Sequence, residues 1–454
     1  MNRQYRSPPF PPRDQLELHQ ELHARPALAA RANCVVSYWL NVGMAHAHAE
    51  QALATLCLAS GSSGPAPGAR HHVLRAAGFA MKYERHGEFV SWQVNRPLPA
   101  QDPAIDDAAL LALLQQGSAL GVLPDAFVTR LSGEGAGRML AASHVLMLDA
   151  RGADDLLQRC QSLMGRHAGA DDDDATLMGS WIGDQNRAAM LTQLQLGTDG
   201  FTRFLVLDRG LYADQAARQA QRLCEIEAYR MLAMLGFPLA QQEATLLAEL
   251  ERLLQGTVDA MANDVQHDDA KAFETLTRLS ADIEHSTART RYRFSATRAY
   301  HRLVQQRLAD LREQRIAGVQ TLSGFLARRF SPAMALCEGI DGRLTDIAER
   351  IHRAANLARV RVEVRREEGN QALLRIFAKR QKQQLRLQQT VEGLSVVAIS
   401  YYTLGLVGYL AKAAKGLPAL AGMNLQPDVV VGLAVLPVLG AVTWFVHKLQ
   451  KHVD

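Results

Sequence analysis

The sequence predicts an α+β protein in successive parts. An amino-terminal cytoplasmic α/β domain spans 1–210, and a long-helix bundle ending in a stalk spans 211–393. A carboxy-terminal two-helix transmembrane hairpin follows at 394–447, with a basic tail at 448–454. Three observations predict this. Short runs rich in Val, Ile, Phe, Tyr and Trp alternate with helical periodicity up to about residue 208, then stop. Beyond 214, segments of Ala, Leu, Arg, Glu and Gln carry apolar residues at three- and four-residue steps. Finally, two uncharged apolar runs, 394–411 and 429–446, close the chain, each about 18 residues or about 27 Å long as a helix, near the hydrocarbon thickness of a bilayer.

Taken in order, residues 1–14 hold arginines and four prolines without the apolar stretch that a signal peptide needs. The β-like runs are 34–40, 88–94, 126–131, 144–148, 188–196 and 201–207, and the helical ones between them are 45–57, 106–116 and 153–164. Gly- and Pro-rich 61–68 and acidic 171–174 read as exposed loops. In the helical region Leu344, Ile347, Ile351, Ala354 and Ala358 stack on one face and need a partner. Pro238, Gly318, Pro332 and Gly369 are the expected breaks. The last helix, from about 371, runs into the first apolar segment with no Gly or Pro before Gly393.

Composition narrows the class. There are 454 residues, 50 Lys and Arg against 46 Asp and Glu, and 48% hydrophobic content, values of a folded, near-neutral protein. Cys34, Cys57, Cys160, Cys224 and Cys337 form no CxxC pair, which excludes a disulfide scaffold or zinc ribbon and fits a reducing compartment. Arg375, Lys379, Arg380, Lys382 and Arg386 precede the first apolar run, and Lys448 and Lys451 follow the second. The connecting loop carries Lys412, Lys415 and Asp428. By the positive-inside rule both termini face the cytoplasm from the inner membrane.

Several stretches carry a resemblance: Glu21-Leu-His-Ala-Arg-Pro26, Tyr83-Glu-Arg-His86 with Glu88-Phe-Val90, Asp199-Gly-Phe-Thr-Arg203, Gln221 through Arg230, Tyr292-Arg-Phe-Ser295 and Leu385 through Ser395. Together they make the chain, over essentially its full length, similar to a bacterial family of membrane-anchored proteins known as domain of unknown function 3422. The sequence departs from that family at Leu357-Ala-Arg-Val360, where a leucine pair followed by Arg-Thr is usual. The resemblance implies a cytoplasmic domain tethered by carboxy-terminal membrane helices, and it implies no activity, cofactor or catalytic residue.

Glu227 shares a helical face with Ala220, Cys224 and Met231 and can pair with Arg230 three residues on; a buried pair that fixes packing is preferred over an acid, base or metal ligand. His46, His48 and Glu50 lack the histidine spacing of zinc proteases, and His71-His72 is no better. With neither a GxSxG elbow nor a phosphate-binding loop, no catalytic or cofactor-binding residue and no cofactor is assigned, and the metal question stays open. For an enzyme, the best candidate residues are Glu227 and His46, if the fold brings them into one cleft. The Arg- and aromatic-rich stretch 289–302 reads as a solvated helix face, so nucleic acid is not an expected partner.

In the first apolar run Ser395, Tyr402 and Tyr409 recur every seven residues with Gly405 on the same face, a stripe suited to protein or water over lipid. The loop triplet Gly422, Met423 and Asn424, and the overall layout, are similar to CorA-type magnesium channels. In those channels the triplet closes the first span directly, whereas here about ten residues intervene. The expected function is an oligomeric interaction or scaffold protein at the inner membrane, with the lipid bilayer and copies of itself as partners. A divalent cation channel is the alternative, and an enzyme the second alternative.

Overall fold

The computed structural model describes residues 27–99, 105–153, 155–167, 176–263, 268–414 and 426–450. The chain divides into two units, Met1–Val265 with Glu274–Ala354, and Gln266–Phe273 with Ala355–Asp454. The protein is mixed α+β, with a nine-stranded sheet in the first unit and long helices after it.

The first unit begins with β1 (Cys34–Val42), α1 (His46–Ala59), β2 (His71–Ala76), β3 (Phe79–Arg85), β4 (Phe89–Pro97), α2 (Asp107–Gln116) and α3 (Asp125–Leu131). It continues with β5 (Arg138–Asp149), α4 (Leu156–His167), β6 (Met178–Ile182), β7 (Ala188–Leu196) and β8 (Thr202–Asp208). The helical part holds α5 (Ala213–Met234), α6 (Gly236–Asn263), α7 (Asp269–Leu311), the short β9 (Gln314–Arg315), α8 (Leu322–Arg329) and α9 (Ser331–Ala414). Strand order is β2-β3-β4-β1-β5-β8-β7-β6-β9. The β5 and β8 strands pair in parallel and the other neighbours antiparallel.

Both faces of the sheet are covered, which explains the near-continuous apolar character of β1 and β5. One face presents Val36, Leu40, Val145 and Phe204 to Ala220 and Leu223 of α5 and Leu326 of α8. The other presents Val35, Trp39, Trp92 and Leu146 to Leu53 of α1, Leu110 of α2, Phe127 of α3 and Cys160 of α4. Ion pairs tie the helices together: Glu225 to Arg307, the fully buried Glu243 to Arg289, and Glu251 to Arg343. Glu88, between β3 and β4, accepts from Arg293 and, at 3.0 Å, from the Tyr300 hydroxyl on α7.

Three local expectations are corrected. Residues 126–131, expected as a strand, form helix α3: Pro124 precedes it, Asp125 sits in its first turn, and only Phe127 is buried, a helical and not an alternating pattern. Strands β2 and β3 lie in sequence given no element, because their hairpin alternates His, Arg and Lys with apolar residues near a sheet edge and turns at Gly78, whose φ is 89°. Gly369 does not break α9; a glycine in a helix costs about 1 kcal/mol, and a long helix absorbs it when no capping partner is present. Pro238 and Pro332 fall in the first turns of α6 and α9, where the missing N–H has no helical partner to lose.

In the second unit Asp269, buried at the start of α7, pairs with Arg365 at 3.0 Å and Arg361 at 3.9 Å. Helix α10 (Pro427–Gln450) follows the end of α9, and Gly408 lies so near the Val431 side chain that a methyl there would be 3.2 Å from it. By length and composition, two helices among the described residues are apolar enough to cross a membrane.

Candidate functional site

Three adjacent strands place a polar row on the sheet face that carries α1 to α4. Ser37 on β1 lies opposite His144 on β5, and His144 is in register with Arg203 on β8. Strand alternation dictates the row, since Leu146 and Leu205, two residues on, enter the same core. The β7–β8 turn adds Asp199, whose carboxylate accepts two hydrogen bonds from Arg203, at 3.1 and 2.6 Å, and the Phe201 N–H at 3.1 Å. A Cβ at Gly197 would meet the side-chain ends of Arg203 and Asp199, so a larger residue there would have to displace that pair. The Phe201 ring stacks on His144 with centroids 4.2 Å apart.

His144 is fully buried, with Nδ1 2.7 Å from the Ser37 hydroxyl. Nε2 lies 3.4 Å from Asp199 Oδ2, an ionised carboxylate that can only accept, so the imidazole proton is assigned to Nε2, and the Ser37 hydroxyl, which accepts the Ala119 N–H at 2.8 Å, donates its own proton to Nδ1. Burial, then the charge of Arg203, push the His144 pKa down to about 4 against the pull of Asp199. Burial works to raise the Asp199 pKa, but the hydrogen bonds from Arg203 and Phe201 and the Arg203 charge hold it below the usual carboxylate range. A neutral imidazole thus sits beside an ion pair that balances itself. Although Ser37, His144 and Asp199 follow one another, Ser37 is sealed in the core and cannot meet a substrate.

This geometry predicts a pH dependence. The folded pKa of His144 lies below its unfolded value of 6.5, so the native state binds fewer protons; the contribution is complete above about pH 7 and is lost as the pH falls from about 6.5 to 4, about 3 kcal/mol in all. Urea unfolding at pH 7, 6 and 5 is expected to show a shallower slope for His144→Gln than for the parent. Parallel slopes would contradict the burial argument.

Against the row lies a cavity of about 600 Å³ between the sheet and helices α2 and α4. A second, of about 360 Å³, opens on the other side of the β7–β8 end and is lined by Met139, Leu140, Glu227, Arg230 and Met231. There Glu227, 3% exposed, accepts from Arg230 Nε at 2.9 Å and Nη2 at 2.8 Å, a fork in which both carboxylate oxygens are used.

The other residues singled out from the sequence are dispersed. His46 is on α1 and Glu227 on α5, helices packed on opposite sheet faces, so they share no cleft. His48 contacts the Arg130 carbonyl at 2.7 Å, Glu50 pairs with Arg85, and His72 lies 3.6 Å from the Cys57 sulfur. No group of three metal-ligating side chains occurs among the described residues. In the basic stretch, Arg289, Arg293 and Arg298 are paired with Glu243, Glu88 and Asp341. Ser395, Tyr402, Gly405 and Tyr409 are exposed on α9, whereas Ser400 is buried. Gly422, Met423, Asn424, Lys415, Lys451, residues 171–174 and the stretch from Glu21 to Pro26 lie outside the described residues.

Sequence reasoning passed over the His144 row. Its one signal was the pair of charges in Asp199-Gly-Phe-Thr-Arg203, spaced to close a turn; His144 joins them only through the parallel pairing of β5 with β8. Of the other quoted motifs, three contribute ion pairs, through Glu88, Arg293, Glu225, Glu227 and Arg230.

No curated protein matches the chain. A family model described as protein of unknown function (DUF3422) matches residues 9–453, nearly the whole length, and the chain belongs to that family.

Proposed function

We propose that the protein is an oligomeric interaction or scaffold protein held at the inner membrane by the segments 394–411 and 429–446, with both termini in the cytoplasm. The observation that carries this reading is the surface of α10. Leu433, Leu436, Trp444 and Phe445 project from it with Leu436 80% exposed, an arrangement that costs free energy in water and is favourable in hydrocarbon. Trp444 with Lys448 4.8 Å above its ring near the end of the helix matches the aromatic and basic belt of a membrane interface. The positive residues 375–386 before the first segment support a cytoplasmic origin for it. Self-association is supported by Leu373, Leu374, Ile376 and Phe377, exposed on α9 outside the apolar segment. For the channel alternative, the described residues add no favouring observation beyond the two apolar helices.

Leu436→Asp tests the anchor. At the centre of a membrane helix this exchange costs about 3 kcal/mol or more, about 100-fold in the insertion equilibrium of that segment. On a water-exposed helix an 80% exposed leucine is replaced by aspartate with little effect. Flotation of cell membranes after carbonate washing is expected to recover the parent in the lipid fraction and the variant in reduced amount. A parent that stays with the soluble fraction would end the proposal.

A further inference from the structure

The cavity between the sheet and helices α2 and α4 has the size of a small-molecule site, about 600 Å³, and a lining that is part apolar and part polar. Leu114 from α2, Leu163 and Met164 from α4, and Leu146 and Leu205 from the sheet supply apolar wall. The polar lining includes His144, Arg203 and Gln193, contributed by the adjacent strands β5, β8 and β7.

The hydrogen bonds of this polar lining are incomplete. Arg203 commits Nη1 and Nη2 to Asp199, while its Nε is shielded from solvent and has no partner among the described residues. The His144 Nε2–H, on a fully buried ring, has only Asp199 at 3.4 Å, longer than an ordinary N–H···O bond. These are two donors at neighbouring positions of one sheet face, and shielded donors without an acceptor are rare in folded proteins. Beside them Gln193 donates through Nε2 to the Met164 carbonyl at 2.9 Å, which leaves its Oε1 as an acceptor.

Charge selects the ligand class. The Arg203 guanidinium is matched by Asp199, and His144 is neutral near pH 7, so a carboxylate or phosphate would bring in an unmatched buried charge. A carbonyl oxygen satisfies donors without that cost, and an adjoining N–H suits the Gln193 oxygen. We propose that this cavity binds an uncharged carboxamide or lactam, its carbonyl directed to Arg203 and His144, its N–H to Gln193, and its apolar body against the leucines of α2 and α4. This is independent of membrane attachment.

The test uses the full chain purified in detergent, with nicotinamide and uracil as probes and nicotinate as the charged counterpart of the first. Isothermal titration or saturation-transfer NMR is expected to detect both uncharged probes and to give nicotinate at least a tenfold weaker Kd. Leu114→Trp and Leu163→Trp, which fill the cavity from different walls, and Gln193→Leu, which removes the acceptor without changing its volume greatly, are each expected to weaken nicotinamide tenfold or more in protein that retains the parent circular dichroism spectrum. Failure of both uncharged probes to bind, equal binding of nicotinate, or undiminished binding in a folded Gln193→Leu protein would each overturn the assignment. Should the tryptophan variants not fold, the Gln193→Leu and nicotinate comparisons decide it.

Discussion

Trp92→Ala is expected to destabilise the first unit by about 3–5 kcal/mol, the range for removing a large aromatic from a well-packed core. Trp92 is fully buried on β4 and joins three elements at once. Its ring lies 6.4 Å from Trp39 of β1, 4.9 Å from Tyr83 of β3 and 5.3 Å, edge-on, from Phe127 of α3. Such contacts add about 0.5–1.5 kcal/mol each beyond the area that they bury. Truncation leaves a void that Trp39, itself on a strand paired at both edges, cannot move to fill. The measurement is the urea midpoint followed by near-ultraviolet circular dichroism, with Trp92→Phe as the control that keeps a ring and loses distinctly less. A loss under 1 kcal/mol for the alanine variant would mean that the aromatic cluster is not a centre of cohesion.

How far the fold was legible follows from where each element sits. The strands β1, β5, β7 and β8 are paired on both edges and largely covered on both faces, so selection for burial wrote nearly unbroken apolar runs into them. Strand β2 is at one sheet edge, paired only with β3, and its His71, His72 and Arg75 mask the alternation. The short run at 126–131 is consistent with either state by periodicity, and the neighbouring Pro124 and Asp125 decide for helix. The two apolar segments were legible because about 18 uncharged residues in succession are rare outside membranes. The polar row was not. Ser37 and His144 are 107 positions apart, and their meeting depends on β1 and β5 being neighbours, a fact of topology that no local pattern encodes. Glu227 was different: helical spacing alone brought it to Arg230 and to a buried face, and only the cavity beside it, about 360 Å³, awaited the tertiary structure.

Arg230→Ala should be the more damaging half of a double-mutant cycle on that pair, at about 3–5 kcal/mol. It strands the Glu227 carboxylate, 3% exposed, among Leu140, Ala141 and Met231 with neither oxygen satisfied. Glu227→Ala should cost less, since the Arg230 side chain is 19% exposed and long enough to carry its charge to water. The double variant Glu227→Met/Arg230→Met replaces the fork with apolar volume and is expected to fall within about 1 kcal/mol of the parent, because desolvation of a buried ion pair largely cancels its attraction. Urea midpoints of the four proteins supply the cycle. If the double variant is as unstable as Arg230→Ala, the fork holds α5 through contacts that methionine cannot imitate. If Glu227→Ala is the worse single change, the arginine and not the carboxylate is the trapped charge, and the cavity beside it is less open to water than its lining implies.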